Sequence, residues 1–450
     1  MKHILQWLYP GLAVKRWMIL FSFGIILLVF GATMILNYQI LGLLEEEILR
    51  LAFQMTGSYS YTFLAVCGTL LMIVGIYIMV VAVRRLVKRF FELIAPGQKE
   101  MSRRLISRIE LSRGMHVVSI GGGHGLSMLL RGLKKKTSNI TAIVTVADDG
   151  GSSGRLREEM GIIAPGDLRN CLVALADKES LLEQLFQYRF GGEGELSGHS
   201  LGNLFLAALI KEFGNPQNAL EAASKVLNIR GKVVPATAEK VRLKAKMSDG
   251  EIVEGESEIS SYPEKVGRDV RIVHMSTIPK SPMAVGDALE AIGKADLITL
   301  GPGSLYTSIL PNLLVPEILQ AIRASDAPVL YICNVMTQPG ETTGYTVGDH
   351  VKALMDHIGG GVVDFVLANN STPREEVLQK YEKVHAFPVK IDRKKVESLG
   401  ATLIEADLLG VEKGAVQDTD VLAGEIQQIR NLLQANIPSE ALEEYLKRSH

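Results

Sequence analysis

The sequence has only three cysteines among its 450 residues, and their spacing is not that of a metal site or a disulfide framework. Cys67 lies in a long apolar run, whereas Cys171 and Cys333 lie far apart in the remainder of the chain. Neither CxxC nor HExxH occurs, so the sequence gives no support for a zinc site. This cysteine usage is typical of a reducing compartment for the part of the chain outside the apolar run.

An excess of charge of one sign is also missing, because 48 lysines and arginines are matched by 49 aspartates and glutamates. The net charge of −1 argues against a general nucleic-acid binder. Hydrophobic residues make up 47% of the chain, and the mean hydropathy of +0.19 is high for a purely soluble protein. These values indicate long apolar segments.

Two uncharged stretches are long enough to cross a membrane. The first lies between Arg16 and Glu45, and we predict its spanning part at residues 17–36. We predict the spanning part of the second stretch at residues 61–83. Because a helix of about 20 apolar residues crosses the hydrocarbon core, residues 1–90 are predicted to form a transmembrane hairpin. The alternative is a pair of buried core helices.

Basic residues lie on the outer flanks of the two predicted spans. Lys15 and Arg16 precede the first span, four basic residues between positions 84 and 89 follow the second, and the connection carries three consecutive glutamates. Short segments rich in lysine and arginine stay on the cytoplasmic side. We therefore expect an inner-membrane protein with two spans, with the lipid bilayer as a partner and with both termini and the C-terminal domain in the cytoplasm. Residues 91–114 are predicted to form a basic juxtamembrane linker or helix.

From residue 115 onward the pattern becomes that of an α/β domain. A strand, a glycine turn, a helix and a second strand form the opening unit of a doubly wound sheet. Residues 232–275 differ, because alternating polarity and a Ser-Asp-Gly turn indicate a small β insertion. We predict a Rossmann-like, doubly wound, mainly parallel sheet over residues 115–450 with this insertion. The runs predicted to be its buried strands are 116–120, 140–147, 296–300, 329–333 and 362–367.

The first glycine loop directly follows the first predicted strand. Glycines allow the backbone to approach an anion closely, and the helix start that follows directs free N–H groups toward it. The loop therefore predicts phosphate binding, with a purely steric turn as the alternative. Leu126 stands where GxGxxG has its third glycine, which weakens the case for an ordinary dinucleotide fold. The predicted ligand contacts in this loop are Gly121, Gly122, Gly123, His124 and Gly125.

A second loop begins with two adjacent acids at the end of the second strand. Two carboxylates at one strand end are unfavourable together unless a cation, a sugar hydroxyl or an array of donors offsets them. The loop predicts contact with ribose and phosphate, with Asp148 and Asp149 as candidate ligands of Mg²⁺. Helix capping is the alternative. The predicted contacts are Asp148, Asp149, Gly151, Ser152, Ser153 and Arg155.

Four further polar segments occur at residues 165–170, 198–203, 301–308 and 333–342. Several of these loops follow apolar strands, and the C-terminal ends of parallel strands meet at one sheet edge, so we expect the loops to gather there. Alternatives are a capping role for the aspartate, a structural role for the histidine and an ordinary polar loop at the last segment. We also expect the tyrosine ring to stack on a base. The predicted contacts are Asp167, Asn170, His199, Asn203, Gly301, Gly303, Ser304, Tyr306 and Asn334. No Ser-His-Asp or Cys-His order is evident, so no catalytic residue is predicted.

Long strings in the C-terminal part resemble the gluconeogenesis-factor (YvcK-like) family, which belongs to the superfamily of the CofD phospholactate transferase. The resemblance covers about residue 115 to the 370s and is weaker beyond. The strings that carry it are IGGGHGLSMLLRGLKK, ITAIVTVADDGGSSGRLR, APGDLRNCLVALAD, GHSLGNLFLAAL, LNIRGKVVPAT, ADLITLGPGSLYTSILPNLLVP and YICNVMTQPGETTGYTVGDHVKAL.

The resemblance implies a Rossmann-like fold that binds UDP-sugars such as UDP-N-acetylglucosamine. It also implies a regulator of cell shape, envelope-precursor supply and gluconeogenic metabolism, with a homo-oligomer and an envelope-metabolism enzyme as candidate partners. Two departures stand out: about 110 residues precede the usual soluble form, and His124 replaces the threonine of the usual GGGTG. The competing hypotheses are a Mg²⁺-dependent transferase of the phospholactate type, with phosphoryl or nucleotidyl chemistry, and an NAD(P)-dependent oxidoreductase.

Overall fold

The computed structural model describes residues 14–36, 50, 53–54, 61–94, 110–177, 180–267, 270–409 and 414–434. The chain divides into two compact units, Met1–Ser107 and Arg108–His450. Residues 95–109, which form the middle of the predicted juxtamembrane segment, lie outside the described residues.

The N-terminal unit contains two long apolar helices, α1 (Val14–Leu36) and α2 (Tyr61–Ile94). Their segments Trp17–Ile35 and Ala65–Arg89 are long and apolar enough to cross a membrane, in agreement with the two predicted spans. The 34 residues of α2 extend over about 51 Å at about 1.5 Å per residue. This length exceeds the ~30 Å of a hydrocarbon core, so α2 is long enough to continue past the membrane surface.

Glycines bring the backbones of α1 and α2 into direct contact. A Cβ added at Gly24 would lie 2.9 Å from the carbonyl oxygen of Gly75, and one at Gly31 would lie 2.5 Å from that of Gly68. Small residues of this kind allow membrane helices to pack closely without a hydrophobic driving force. At one end of the pair the Arg85 guanidinium lies 5.0 Å from the Trp17 ring centroid. The basic flank of α2 therefore lies beside the start of α1, as the predicted hairpin requires.

The C-terminal unit is built on two sheets. A seven-stranded sheet has the order β10-β9-β8-β7-β1-β2-β3, and all its pairings are parallel. A three-stranded antiparallel sheet has the order β5-β4-β6. The strands are β1 (Val117–Gly121), β2 (Ile140–Val144), β3 (Lys232–Pro235), β4 (Arg242–Met247), β5 (Ile252–Glu254), β6 (Ile272–Ile278), β7 (Leu297–Leu300), β8 (Val329–Ile332), β9 (Phe365–Asn369) and β10 (Thr402–Ala406).

Successive residues of a strand point to opposite faces of its sheet. Both faces of the large sheet are apolar, and helices cover both. In β1, Val118 and Ile120 belong to one hydrophobic core and Val117 to the other. This arrangement confirms the predicted Rossmann-like fold class. The helices are α3 (Gly123–Leu133), α4 (Gly151–Met160), α5 (Gly166–Leu175), α6 (Ser180–Gln187), α7 (Leu201–Phe213), α8 (Pro216–Leu227), α9 (Glu256–Val266), α10 (Gly286–Gly293), α11 (Leu310–Leu313), α12 (Pro316–Ala324), α13 (Val347–Ile358), α14 (Glu375–Glu382), α15 (Arg393–Ser398) and α16 (Thr419–Gln434). A single turn of π-helix, Leu305–Ile309, precedes α11 and is called the π-turn below.

The β insertion differs from its prediction at its start and in its middle. β3 pairs with β2 in the large sheet, so the insertion begins after it, at β4. Residues 256–259 lie within the predicted β insertion but belong to a helix, α9, which starts after Gly255 at a φ of 102°. The strand β10 was not predicted, since the tail after residue 372 carries many charges. Its signal was the short apolar run after Gly400.

Candidate functional site

The loops predicted to bind a ligand gather at the C-terminal edge of the large sheet. The strand order reverses at β1, since β2 and β3 lie on one side of it and β7 to β10 on the other. In open α/β sheets, the crevice outside such a reversal is the usual ligand site. The loops after β1, β2, β7 and β8 all open at this edge, as the sequence pattern predicts.

The loops after β1 and β7 are in backbone contact. A Cβ added at Gly125 would lie 2.6 Å from the Pro302 carbonyl oxygen, and one at Gly303 would lie 3.4 Å from the Gly122 carbonyl oxygen. Gly123 has a φ of 65°, which side chains rarely tolerate. Asn312, a residue that sequence reasoning missed, donates from Nδ2 to the Gly121 carbonyl oxygen at 3.1 Å and holds the end of β1. The glycines are therefore required by close packing as well as by any ligand.

Three helix starts lie at this edge of the sheet. Gly122 precedes α3, Gly150 precedes α4 and Ser304 precedes the π-turn, and none of these three residues caps its own turn. Acids from elsewhere in the chain reach two of the turns, because the Gly123 N–H donates to Asp167 and the Tyr306 and Thr307 N–H groups donate to Glu341. The first N–H groups of a helix have no partner within the helix and carry a partial positive charge. Such groups are suited to binding an anion.

Asp167 occupies part of this positive region. Its carboxylate accepts a hydrogen bond from the Gly123 N–H, and a Cβ added at Gly122 would lie 2.5 Å from its Oδ2. Burial, together with repulsion from Asp148, raises its pKa to about 7. Asp167 therefore lies where a phosphate oxygen would compete for the same amide.

The two adjacent acids have separate roles. Asp148 Oδ1 accepts from the Gly150 N–H at 2.9 Å. Asp149 instead caps α9, because its two oxygens accept from the N–H groups of Glu256 and Ser257, each at 2.9 Å. Among the described residues, no three Asp, Glu, His or Cys side chains are grouped to hold a metal ion. The predicted Mg²⁺ pair is therefore not formed by these residues alone.

Two further acids line the same region and were missed by sequence reasoning. Burial and the carboxylates of Asp148 and Asp167 raise the pKa of Glu256 to about 8. The pKa of Glu341 is also raised by burial, and its Oε1 accepts from Ser260 Oγ and Thr307 Oγ1 at 3.2 Å. Glu256 was not recognisable, because it reaches the site from α9, and Glu341 lies in the predicted segment 333–342 without having been singled out.

A buried polar cluster lies at the start of α4. Ser152 Oγ lies 3.0 Å from His199 Nδ1 and 3.0 Å from Asn203 Nδ2. All three side chains are buried. Ser153 lies beside this cluster, and its Oγ accepts from the Gly166 N–H at 2.7 Å. The structure thus brings together residues predicted in two separate loops.

The basic side chains near the site are bonded to the protein. Arg155 Nη2 donates to the Ser197 carbonyl oxygen at 2.6 Å. Arg157, which is buried, donates to the Ala147 carbonyl oxygen at 3.2 Å. Arg169 donates to Asn170 Oδ1 at 2.6 Å. These bonds fix the positions of the three guanidinium groups, which keep their positive charge beside the helix starts.

The loops after β7 and β8 bond to each other. Asn334 accepts from the Gly303 N–H at 3.3 Å through Oδ1 and donates to the Gly303 carbonyl oxygen at 2.9 Å through Nδ2. Gln338 Nε2 donates to Ser304 Oγ at 2.7 Å. Asn334 therefore shapes the glycine turn whether or not it also contacts a ligand.

Two predicted contacts have unexpected positions. Tyr306 is only 2% exposed, and its hydroxyl lies 2.9 Å from the Tyr345 hydroxyl. Its ring also lies edge-on to His357, so the predicted stacking on a base is wrong for this geometry. His124, by contrast, is exposed in the first turn of α3.

The part of the chain that contains all these loops is similar to known proteins. Residues 117–409 match the family model for the 2-phospho-L-lactate transferase CofD. The chain is 49% identical over 308 residues to the gluconeogenesis factor of Bacillus subtilis, across 68% of this chain and 95% of that protein. It is 54% identical over 289 residues to the gluconeogenesis factor of Halalkalibacterium halodurans, across 64% of this chain and 88% of that protein.

Two more comparisons extend this picture. A protein of Nostoc sp. is 45% identical over 413 residues, across 91% of this chain and 88% of its own length. Residues 115–450 are about three quarters of the chain, so that match continues into the N-terminal part. A crystal structure of a UPF0052 family member from Bacillus halodurans matches with a TM-score of 0.66 at 50% identity, across 70% of this chain and 99% of that one.

Proposed function

This chain belongs to the gluconeogenesis-factor family and carries a CofD-like domain, and we propose that its crevice binds a nucleotide-linked sugar such as UDP-N-acetylglucosamine. The bound form would act as a regulator of envelope-precursor supply, cell shape and gluconeogenic metabolism. The two apolar helices would hold this domain at the cytoplasmic face of the membrane.

The observation that carries the proposal is the convergence of three helix starts on one crevice, where the start of α4 has no side-chain cap and the starts of α3 and the π-turn are bonded to buried acids. Backbone N–H groups at helix starts donate to phosphate oxygens. The start of α4 offers such groups directly, and a diphosphate would compete with Asp167 and Glu341 for the amides of the other two turns. The close packing at Gly122, Gly125 and Gly303 keeps side chains away from the place where the backbone meets an anion. Positive potential from several helix ends in one crevice favours a ligand with more than one phosphate.

The acids of the crevice suit the rest of such a ligand. Carboxylates at this edge commonly accept hydrogen bonds from ribose hydroxyls, and Asp148 has one oxygen without a hydrogen bond to the Gly150 amide. A diphosphate beside Asp148 and Asp167 also needs protons or a cation to offset the repulsion. Mg²⁺ is commonly held by one or two carboxylates together with substrate phosphates. In this crevice Asp148 is the residue that fits that role, since Asp149 is bonded to α9.

Binding is tested by titrating the full chain, in detergent micelles, with UDP-N-acetylglucosamine in the presence and absence of Mg²⁺. A ligand that binds only the native state raises the unfolding temperature, with a stabilisation of about 2.7 kcal/mol at a hundredfold excess over Kd. GDP and NAD serve as ligand controls. No shift in the unfolding temperature at millimolar UDP-N-acetylglucosamine, with or without Mg²⁺, would remove the proposal.

A second candidate function is a Mg²⁺-dependent transferase of the phospholactate type. It is favoured by the match of residues 117–409 to the CofD model and by the acids gathered near the helix starts. Chemistry of this class relies on positioning and charge stabilisation rather than on a protein nucleophile. Its test is Mg²⁺-dependent release of a nucleoside monophosphate from an activated substrate. Binding without turnover would leave the regulator as the supported function.

A further inference from the structure

We infer that Ser152 donates its hydroxyl hydrogen to an anionic oxygen of the bound ligand, and that His199 and Asn203 are the positioning residues that aim it. This inference rests on the proposed function and assigns the donor at the start of α4.

The geometry places Ser152 at a helix start with two side chains on its oxygen. It is the second residue of α4, and no side chain caps that helix in the described structure. His199 Nδ1 and Asn203 Nδ2 each lie 3.0 Å from Ser152 Oγ. The serine is 5% exposed, the histidine 3% and the asparagine 2%. A hydroxyl this well buried is held in one place by its neighbours.

A count of hydrogens decides what that hydroxyl can do. A serine hydroxyl has one hydrogen and two acceptor positions, and the Asn203 NH₂ group only donates. If His199 carries its hydrogen on Nδ1, both neighbours donate to Oγ, and the serine hydrogen is free to point at a ligand. If His199 carries its hydrogen on Nε2, the serine hydrogen is used on Nδ1 instead. An anionic ligand therefore favours the Nδ1–H form, because only that form gives it the hydroxyl hydrogen.

A second observation also points to a ligand at this place. Asn203 Oδ1 is buried and has no hydrogen-bond partner within the described part of the chain. Buried acceptors without a partner are rare and unfavourable. This oxygen therefore fits an N–H or O–H group of the same ligand, while the Ser152 hydrogen serves the anionic oxygen. The charged groups that face His199 are Arg155 and Glu159 of α4, and burial is the main cause that lowers its pKa. The histidine is therefore neutral in the free protein near neutral pH, and its tautomer can respond to the ligand.

The experiment measures the Kd of the full chain in micelles for UDP-N-acetylglucosamine. Ser152→Ala removes a hydrogen bond to a charged oxygen and should weaken binding about tenfold or more. Ser398→Ala, at an exposed position of α15, is the matched control and should leave Kd unchanged. Unfolding temperatures of all variants verify that they fold.

Two histidine variants separate positioning from packing. His199→Asn keeps an N–H near the Nδ1 position and should bind within about threefold of the unmodified chain. His199→Gln places its amide near the Nε2 position and should weaken binding nearly as much as Ser152→Ala. In the Ser152→Ala background the histidine variants should have no further effect, because coupled residues are not additive.

The ¹⁵N chemical shifts of the imidazole give a direct reading of the tautomer, with the His199→Asn variant providing the assignment. Addition of the ligand should move His199 to the Nδ1–H form. The inference is overturned if Ser152→Ala leaves Kd unchanged, if the two histidine variants bind alike, or if Nδ1 stays unprotonated in the complex. If the unmodified chain itself does not bind, the proposed function fails and this inference fails with it.

Discussion

The replacement of Asp167 by asparagine tests the electrostatics of the crevice in the absence of any ligand. The carboxylate accepts from the Gly123 N–H and lies near Asp148, in a position where burial disfavours its charge. Asparagine has nearly the same shape and keeps an oxygen that accepts from the same amide, but it cannot ionise. The substitution therefore removes the charge and leaves the contact.

The size of the effect follows from the pKa of this carboxyl, which rises from 3.8 to about 7 on folding. Between these values the native state holds a proton that the unfolded chain has lost, so the free energy of unfolding falls as pH rises, and the full penalty is present above pH 7. Each pKa unit corresponds to 1.36 kcal/mol, which gives ~4 kcal/mol as an upper limit. We expect Asp167→Asn to stabilise the domain by about 2–4 kcal/mol at pH 8 and to have little effect near pH 4.

The assay is thermal unfolding of the full chain in micelles, followed with a thiol-reactive fluorogenic dye. This probe suits the domain because Cys171 and Cys333 are buried in it and react when it opens. An increase in unfolding temperature of roughly 5 °C or more is expected at pH 8. Asp287→Asn, at an exposed position in the first turn of α10, is the matched control and should show no such pH dependence.

The affinity for a ligand is a second test of the Asp167→Asn variant. Without the negative charge at Asp167, a diphosphate should bind more tightly at pH 8, and its affinity should vary less between pH 6 and pH 8. Equal stability of the variant and the unmodified chain across this pH range would refute the argument that a buried carboxylate faces the α3 start. Destabilisation at pH 8 would instead show that the charge itself holds the glycine loop.

Three further predictions concern a helix contact, a helix cap and a buried hydrogen bond. Gly68→Leu should destabilise the helical hairpin by about 1–3 kcal/mol, because even a Cβ would lie 2.7 Å from a backbone oxygen of the other helix. Cross-linking of paired cysteines in the two helices measures this effect. Val66→Leu, on the exposed face, is the control. Asp149→Ala removes the cap of α9 and should cost about 1–2 kcal/mol, and hydrogen exchange should increase along α9 and little elsewhere. Tyr306→Phe should cost about 1 kcal/mol through the lost bond to the Tyr345 hydroxyl while leaving ligand Kd unchanged; a large increase in Kd would restore the stacking role.

Local pattern was sufficient for the spans, the fold class and most strands. Uncharged runs of membrane-spanning length have few alternatives to a helix. Apolar runs that end in glycine turns similarly indicate buried parallel strands. Pattern was insufficient for β10 and α9, where charged residues or a short strand signal obscured the element and tertiary packing selected its form.

The sequence by itself determined which loops carry glycines, hydroxyls and acids, and that parallel strands would gather them at one edge, because periodicity and turn chemistry are local properties. The tertiary structure decided what each side chain does there. Only the fold brings Glu256 and Glu341 to the crevice, assigns Asp149 to the start of a distant helix and buries Tyr306 in the core. The reason is physical: a pKa, a hydrogen bond and a degree of burial depend on neighbours in space, and those neighbours lie up to about two hundred residues away along the chain.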